Sequence, residues 1–126
     1  MNNVKINIFV YSAVNDETTC PDHGCDTGHL AQGWGSGSAD FPYLIDPLTG
    51  LTNALGDGVK IQSSTDDWDL TAAAEAAKDA DVAFVFSNSN SGEEYITVDG
   101  NVGDRNNLSL WNNGDNLVSL IQISRK

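Results

Sequence analysis

The apolar and polar stretches of the chain alternate as strand, helix, strand, helix, strand, helix. Val4 to Tyr11 (Val-Lys-Ile-Asn-Ile-Phe-Val-Tyr) is a β-rich apolar run of strand length, and the Asp-, Thr-, Pro- and Gly-bearing stretch behind it cannot continue it. From Asp46 to Leu55, Pro47 sits at a first helical position and Leu48, Leu51 and Leu55 recur at helical spacing, before Gly56-Asp57-Gly58 stops the helix. Val59 to Ser64 reads as a second short strand. Asp69 is placed to cap an alanine-rich helix over Leu70 to Ala80. Behind Asp81, Val82-Ala-Phe-Val-Phe86 is a continuous apolar run of the kind found in strands covered on both faces, which predicts a central position for strand three. Ser87 to Asn107 is polar and Gly-rich. Leu108 to Ile123 then returns to helical spacing through Leu117, Leu120 and Ile121.

This order predicts an α/β fold, a three-layer sandwich around a mainly parallel sheet with right-handed crossovers. In such sheets ligands gather at the carboxyl ends of the strands, and the long loops after strands one and three both lie there. A last helix that leads to no further strand leaves one sheet edge open, which predicts an incomplete sheet or a homodimer that covers the edge.

Composition narrows the function classes. A chain of 126 residues, 40% of them apolar, fits a single domain and falls well short of an eight-fold barrel. Eighteen acidic residues against six basic ones give a formal charge of −12, which repels nucleic acid and anionic membranes. No stretch reaches bilayer-spanning length, and the start Met-Asn-Asn-Val-Lys-Ile lacks the order of a signal peptide. Cys20 and Cys25, in Cys-Pro-Asp-His-Gly-Cys, could close a local disulfide. With His23 and His29 they could also form a zinc set, although the spacing departs from the finger pattern and the histidines do not form its paired arm. No metal or other cofactor is expected.

Several motifs invite chemistry and are weighed against plainer roles. Gly33-Trp-Gly-Ser-Gly37 follows no strand directly and precedes no lysine, so a turn is a better reading than a phosphate cradle. Asp99-Gly-Asn-Val-Gly-Asp104 lacks the Gly and Glu that a calcium-binding hand needs; its aspartates suit turns, with Arg105 as an ion-pair partner. Ser91-Gly-Glu-Glu-Tyr-Ile96 places Glu93 and Glu94 just past strand three, at the edge where catalytic carboxylates sit, although adjacent carboxylates on a loop are also commonplace. Trp34, Trp68, Trp111 and Tyr95 suit either sugar stacking or anchoring of core and loops.

Cys20 to Cys25, Leu30-Ala-Gln-Gly-Trp-Gly-Ser-Gly-Ser-Ala-Asp-Phe-Pro-Tyr-Leu44, Ser91-Gly-Glu93 with Tyr95, and Asp99 to Gly114 together resemble the second domain of fungal β-glucosidases of glycoside hydrolase family 3. The resemblance runs in order from about Lys5 to Leu120. It implies a parallel α/β sandwich without the barrel domain that supplies the aspartate nucleophile, and a domain that in the family continues beyond Lys126. It also implies that Glu93 is the acid/base, that Tyr95 lines the leaving-sugar site, that Cys20 and Cys25 are disulfide-bonded, and that the protein is secreted. Asn107-Leu-Ser109 is a glycosylation sequon in a segment often glycosylated in that family. Trp34 and Glu94 join Tyr95 as candidate substrate contacts. The family usually has Gly where this chain has Glu94. Asp67-Trp68 echoes the barrel's nucleophile motif but follows strand two of this domain, so that role is not transferred to it.

Three expectations follow. Retaining hydrolysis needs two carboxyl groups about 5 Å apart, and one domain offers half of the pair, so the leading expectation is a module that binds a glycan or a protein. The second is a weak, split or dimeric β-glucosidase acting on terminal β-glucosides through Glu93. The third is a secreted effector or immunomodulatory protein whose sugar site is incidental.

Overall fold

The computed structural model describes residues 5–10, 36, 42–89, 91–98 and 100–124. The elements are β1 (Lys5–Val10), α1 (Pro47–Leu55), β2 (Lys60–Ser64), α2 (Leu70–Ala77), β3 (Val82–Phe86), β4 (Thr97–Val98), β5 (Asn101–Val102) and α3 (Gly114–Ser124), with one 3-10 turn at Gly56–Gly58.

β1 pairs in parallel with β2 (Lys5 opposite Lys60) and with β3 (Ile6 opposite Val82), giving the order β2-β1-β3. The expectation that strand three is central is therefore corrected: β1 is the middle strand, and β3 pairs with it alone among the described strands. The reason is topological. Consecutive right-handed crossovers put their helices on opposite faces only if the chain reverses its direction of travel, so β3 is laid on the far side of β1 from β2. The apolar run of β3 is also not buried on both faces, since Val82 is 36% and Phe84 38% exposed.

Two apolar clusters hold the layers together. In one, Leu48, Leu51 and Leu55 of α1 meet Val59, Ile61 and Phe86. In the other, Ala73 and Ala77 of α2 interlock with Leu117 and Ile121 of α3, all at most 4% exposed, over Ala83 and Val85 of β3. The small alanines let the two helices approach closely, and the i, i+4 pairs present one row each to the seam.

Helix ends follow local chemistry. Asp46, 5% exposed, caps α1: Thr49 N–H donates to its Oδ1 at 2.8 Å and Thr49 Oγ1 to its Oδ2 at 2.6 Å. Asp69 caps α2 by accepting from Ala72 N–H at 2.9 Å. α2 stops at Ala77, short of the expected Ala80, because Lys78 turns extended and Asp79 takes the left-handed φ of 59°. α3 starts at Gly114, later than the expected Leu108, because Asn112 and Asn113 sit at φ 52° and 66°, which helix geometry forbids. Asn tolerates this conformation better than most residues.

The Asp46 cap satisfies a backbone N–H and a hydroxyl in a site that water barely reaches. Asp46→Ala is expected to lower unfolding free energy by about 1–2 kcal/mol in urea melts, and more than Asp69→Ala at its exposed cap.

Candidate functional site

In the order β2-β1-β3 the winding direction switches between β1 and β3, the place where ligands gather in open parallel sheets. The segments that follow β1 and β3 in the chain start there. They touch: Ser36 N–H, from the loop after β1, donates to Glu93 Oε2, from the loop after β3, at 2.7 Å. The glycine-rich and Ser-Gly-Glu motifs, 57 residues apart, are thus joined by a charge-assisted bond.

The loop carrying Glu93 is tied down by its own backbone. Gly92 N–H donates to Gly103 O, Gly103 N–H to Ile96 O and Ile96 N–H to Glu93 O, each at 2.9 Å. The antiparallel pair β4 and β5, which the polar reading of this segment did not foresee, closes the far end with Thr97 opposite Val102. A Cβ on Gly92 would run into the carbonyl oxygen of Ile96, so the glycine of Ser-Gly-Glu is a requirement of close approach. Asn101 fastens the base: its Nδ2 donates to the carbonyls of Gly103 (3.0 Å) and Asp104 (2.9 Å), and its Oδ1 accepts from Asn106 N–H (3.2 Å). Sequence reasoning passed over Asn101 and Ser36, because neither residue type carries chemistry until the fold supplies its partners.

Glu93, Glu94 and Tyr95 are all exposed, Tyr95 at 83%. Glu94 lies at φ 53°, the left-handed region that disfavours a Cβ. A glycine would occupy this position without strain. Trp68 is 70% exposed, whereas Trp111 is half-buried and its backbone N–H donates to Asn88 O at 3.0 Å, which ties its loop to the end of β3. Arg105 donates from Nη2 to the carbonyl of Ser109 at 3.0 Å. Asn107 is exposed, and its Oδ1 accepts from Ser109 N–H at 2.9 Å, folding the sequon into a side-chain turn. Trp34, Cys20, Cys25, His23, His29 and Asp99 lie outside the described residues. Among the described residues no group of three or more His, Cys, Asp and Glu side chains could hold a metal, and no helix is long and apolar enough to cross a membrane.

Asp67, at the carboxyl end of β2, is 3% exposed, and its Oδ2 is buried without a hydrogen-bond partner. Burial, reinforced by the neighbouring Asp66 carboxylate, pushes its pKa up to about 7. Asn113 Nδ2 reaches its backbone carbonyl at 2.9 Å, joining the turn before α3 to the turn after β2. The sequence held no signal for this beyond the Asp66-Asp67 pair, since burial is a property of the assembled turns.

A parallel sheet with helices on both faces, whose loops present a carboxylate beside an exposed aromatic ring, defines the class: a doubly wound α/β domain with its candidate site at the strand ends. Comparison with known proteins makes this specific. Residues 3–126 match the glycosyl hydrolase family 3 C-terminal domain, and the chain belongs to that family. Over 108 residues it is 56% identical to a probable β-glucosidase L of Neosartorya fischeri, covering 85% of this chain and 14% of that protein. It is 52% identical over 100 residues to β-glucosidase 1 of Aspergillus aculeatus, covering 79% of this chain and 12% of that one. The crystal structure of the β-D-glucoside glucohydrolase of Trichoderma reesei superposes with a TM-score of 0.85 at 38% identity, over 97% of this chain and 18% of that one. The β-glucosidase D2-BGL of Chaetomella raphigera gives 0.82 at 49% identity, over 96% and 17%. The chain thus spans about one seventh of the length of the curated relatives it matches.

Two measurements probe this region. Because the Asp67 pKa is raised on folding, its contribution to stability is fully present below about pH 4 and is lost as pH rises towards 7; the loss is on the order of 2–4 kcal/mol, and Asp67→Asn should flatten that part of a stability-against-pH curve. Glu94→Gly should raise unfolding free energy by about 0.5–1 kcal/mol in denaturant melts by removing left-handed strain.

Proposed function

We propose that this chain is a β-glucosidase-derived module in which Glu93 holds the acid/base position and which, by itself, acts as a secreted carbohydrate- or protein-binding unit rather than as a competent glycosidase. The observation that carries the reading is the Ser36 amide on Glu93 Oε2 at the switch point, with the Tyr95 ring exposed two residues on. An amide N–H donates to an unprotonated oxygen, so it commits Oε2 as acceptor and leaves Oε1 to carry a proton toward a glycosidic oxygen. Tyr95, with Trp34 and Glu94 as further candidate contacts, offers a ring face and polar atoms to a sugar. The resemblance of the Cys20–Cys25 loop and of the Asn107 sequon to those of the family supports an extracellular setting. A retaining mechanism also needs a nucleophilic carboxylate about 5 Å across the scissile bond, a part that the resemblance assigns to the barrel domain.

A second reading, a weak glycosidase that borrows its second carboxylate from another copy or a separate barrel, draws on the same exposed Glu93. Both readings meet in one experiment on the 126-residue chain. With a chromogenic β-glucoside, turnover at background level is expected for the wild type and for Glu93→Gln alike. Glucose or cellobiose should meanwhile shift the amide resonances of residues 92–96 in NMR, and Tyr95→Ala should weaken that binding about tenfold. Turnover abolished by Glu93→Gln would establish the second reading, and an absence of saccharide-induced shifts would remove the carbohydrate from the first.

A further inference from the structure

The segments before and after the Glu93 loop are tied to each other by a ladder of hydrogen bonds. Gly92 N–H donates to Gly103 O at 2.9 Å, Ser89 Oγ to Ser109 O at 3.1 Å and Trp111 N–H to Asn88 O at 3.0 Å. The last rung leads into the turn Trp111-Asn112-Asn113, which Gly114 N–H closes on Trp111 O at 3.0 Å. This turn lies against the end of β3, since a Cβ on Gly114 would fall 3.4 Å from the Cβ of Ser87. On its other side Asn113 Nδ2 donates to Asp67 O, in the turn after β2. The turn is thus a clasp between the ends of β2 and β3, the two neighbours of β1, and the root of the Glu93 loop is fastened to it.

Three features make the closed clasp easy to open. Asn112 and Asn113 are consecutive non-glycine residues at φ 52° and 66°, strain of the kind found at switch regions. Asp67 is 3% exposed with its Oδ2 buried and unpartnered. Asn88 Nδ2, at the β3 end of the clasp, is buried without a partner as well. A protonated carboxyl tolerates such a site, whereas an unpaired carboxylate strongly favours water. The other charged groups on these segments are Asp66, Asp69, Asp115 and Arg105. Asp66, Asp69 and Asp115 accept from the N–H groups of Trp68, Ala72 and Leu110, and Arg105 donates to Ser109 O. Of the four, Asp66 acts on Asp67, and it opposes ionisation.

We propose that the Trp111–Asn113 clasp opens when Asp67 ionises and frees the root of the Glu93 loop, so that the loop is ordered in acid and loosened as pH rises. This regulates the site proposed above and rests on that reading for its consequence; the clasp itself does not. The sign follows from linkage. Closed, Asp67 has its pKa pushed up to about 7 by burial and by Asp66; open to water, it ionises near pH 4 like an ordinary aspartate. The opening equilibrium therefore rises about tenfold per pH unit between those values and levels off above about pH 7.

Hydrogen exchange followed by NMR on the 126-residue chain tests this, with rates corrected for the intrinsic pH dependence of amide exchange. Between about pH 5 and 7 the opening measured at the Trp111 and Gly114 amides is expected to rise about a hundredfold, with Gly92 and Ile96 following. These amides should open at low urea without the β1 amides, as a local event does. Asp67→Asn is expected to remove the pH dependence. Should that variant fail to fold, the carboxyl carbon resonance of Asp67 in the wild type should titrate where the opening levels off. Opening that does not change with pH, a pH dependence that survives in Asp67→Asn, or an Asp67 carboxyl that titrates near pH 4 overturns the proposal. So do clasp amides that exchange only together with β1, or a Gly92 amide indifferent to the clasp. None of these readouts uses a saccharide, so their failure is distinct from failure of the binding function.

Discussion

The reversal of winding direction at β1 is the constraint from which the site derives. Right-handed crossovers require it if α1 is to cover one face of the sheet and α2 with α3 the other. It separates the carboxyl ends of β1 and β3 as points of departure, and a specific bond joins the segments that follow them. The Ser36 amide and the Glu93 carboxylate supply that bond. A glutamate on a free loop would sample many orientations. Here a donor from a different part of the chain fixes one oxygen, and a hydrogen-bonded turn from Gly92 to Gly103 fixes the backbone beneath it.

The loop spends conformational strain to hold this position. Glu94 and Gly103 both adopt left-handed φ values, and a Cβ on Gly103 would lie 2.9 Å from the Glu94 carbonyl oxygen. Only one of the two positions has the residue that suits the geometry. Residues held in such conformations persist when the surrounding structure over-determines them, and Asn101, which bonds three backbone groups at the base of the hairpin, does that here. The strained residue lies next to Glu93, so the backbone that positions the carboxylate is the part of the loop held in the left-handed conformation.

The two edges of the carboxyl-end surface have different chemistry. At β3 the display is a solvated carboxylate and an exposed ring, suited to a polar ligand with an apolar face. After β2 the carboxyl group of Asp67 is buried, with its pKa pushed up to about 7, while the neighbouring Trp68 is exposed. Desolvation is the larger cause of that raised pKa and the neighbouring Asp66 carboxylate the smaller.

Periodicity by itself determined the helix cores and the three principal strands, and residue type marked Asp69 as a cap, because those follow from contacts within a few residues; the capping role of Asp46 was not read there. The Ser-Gly-Glu motif likewise marked Glu93 as the residue to examine. Strand order was not legible there, since the apolar run of β3 suits an edge covered by helices on part of its surface as well as a buried centre. Nor were the termini of α2 and α3, where Asp79, Asn112 and Asn113 take left-handed conformations that composition permits without requiring. Only the tertiary structure decided which partners Glu93, Asn101 and Asp67 would meet. The bond to Ser36 spans 57 residues, and the burial of Asp67 depends on turns brought together from two loops. Such contacts exist only once the crossovers have closed, which is why residue spacing could name the carboxylates but not their surroundings.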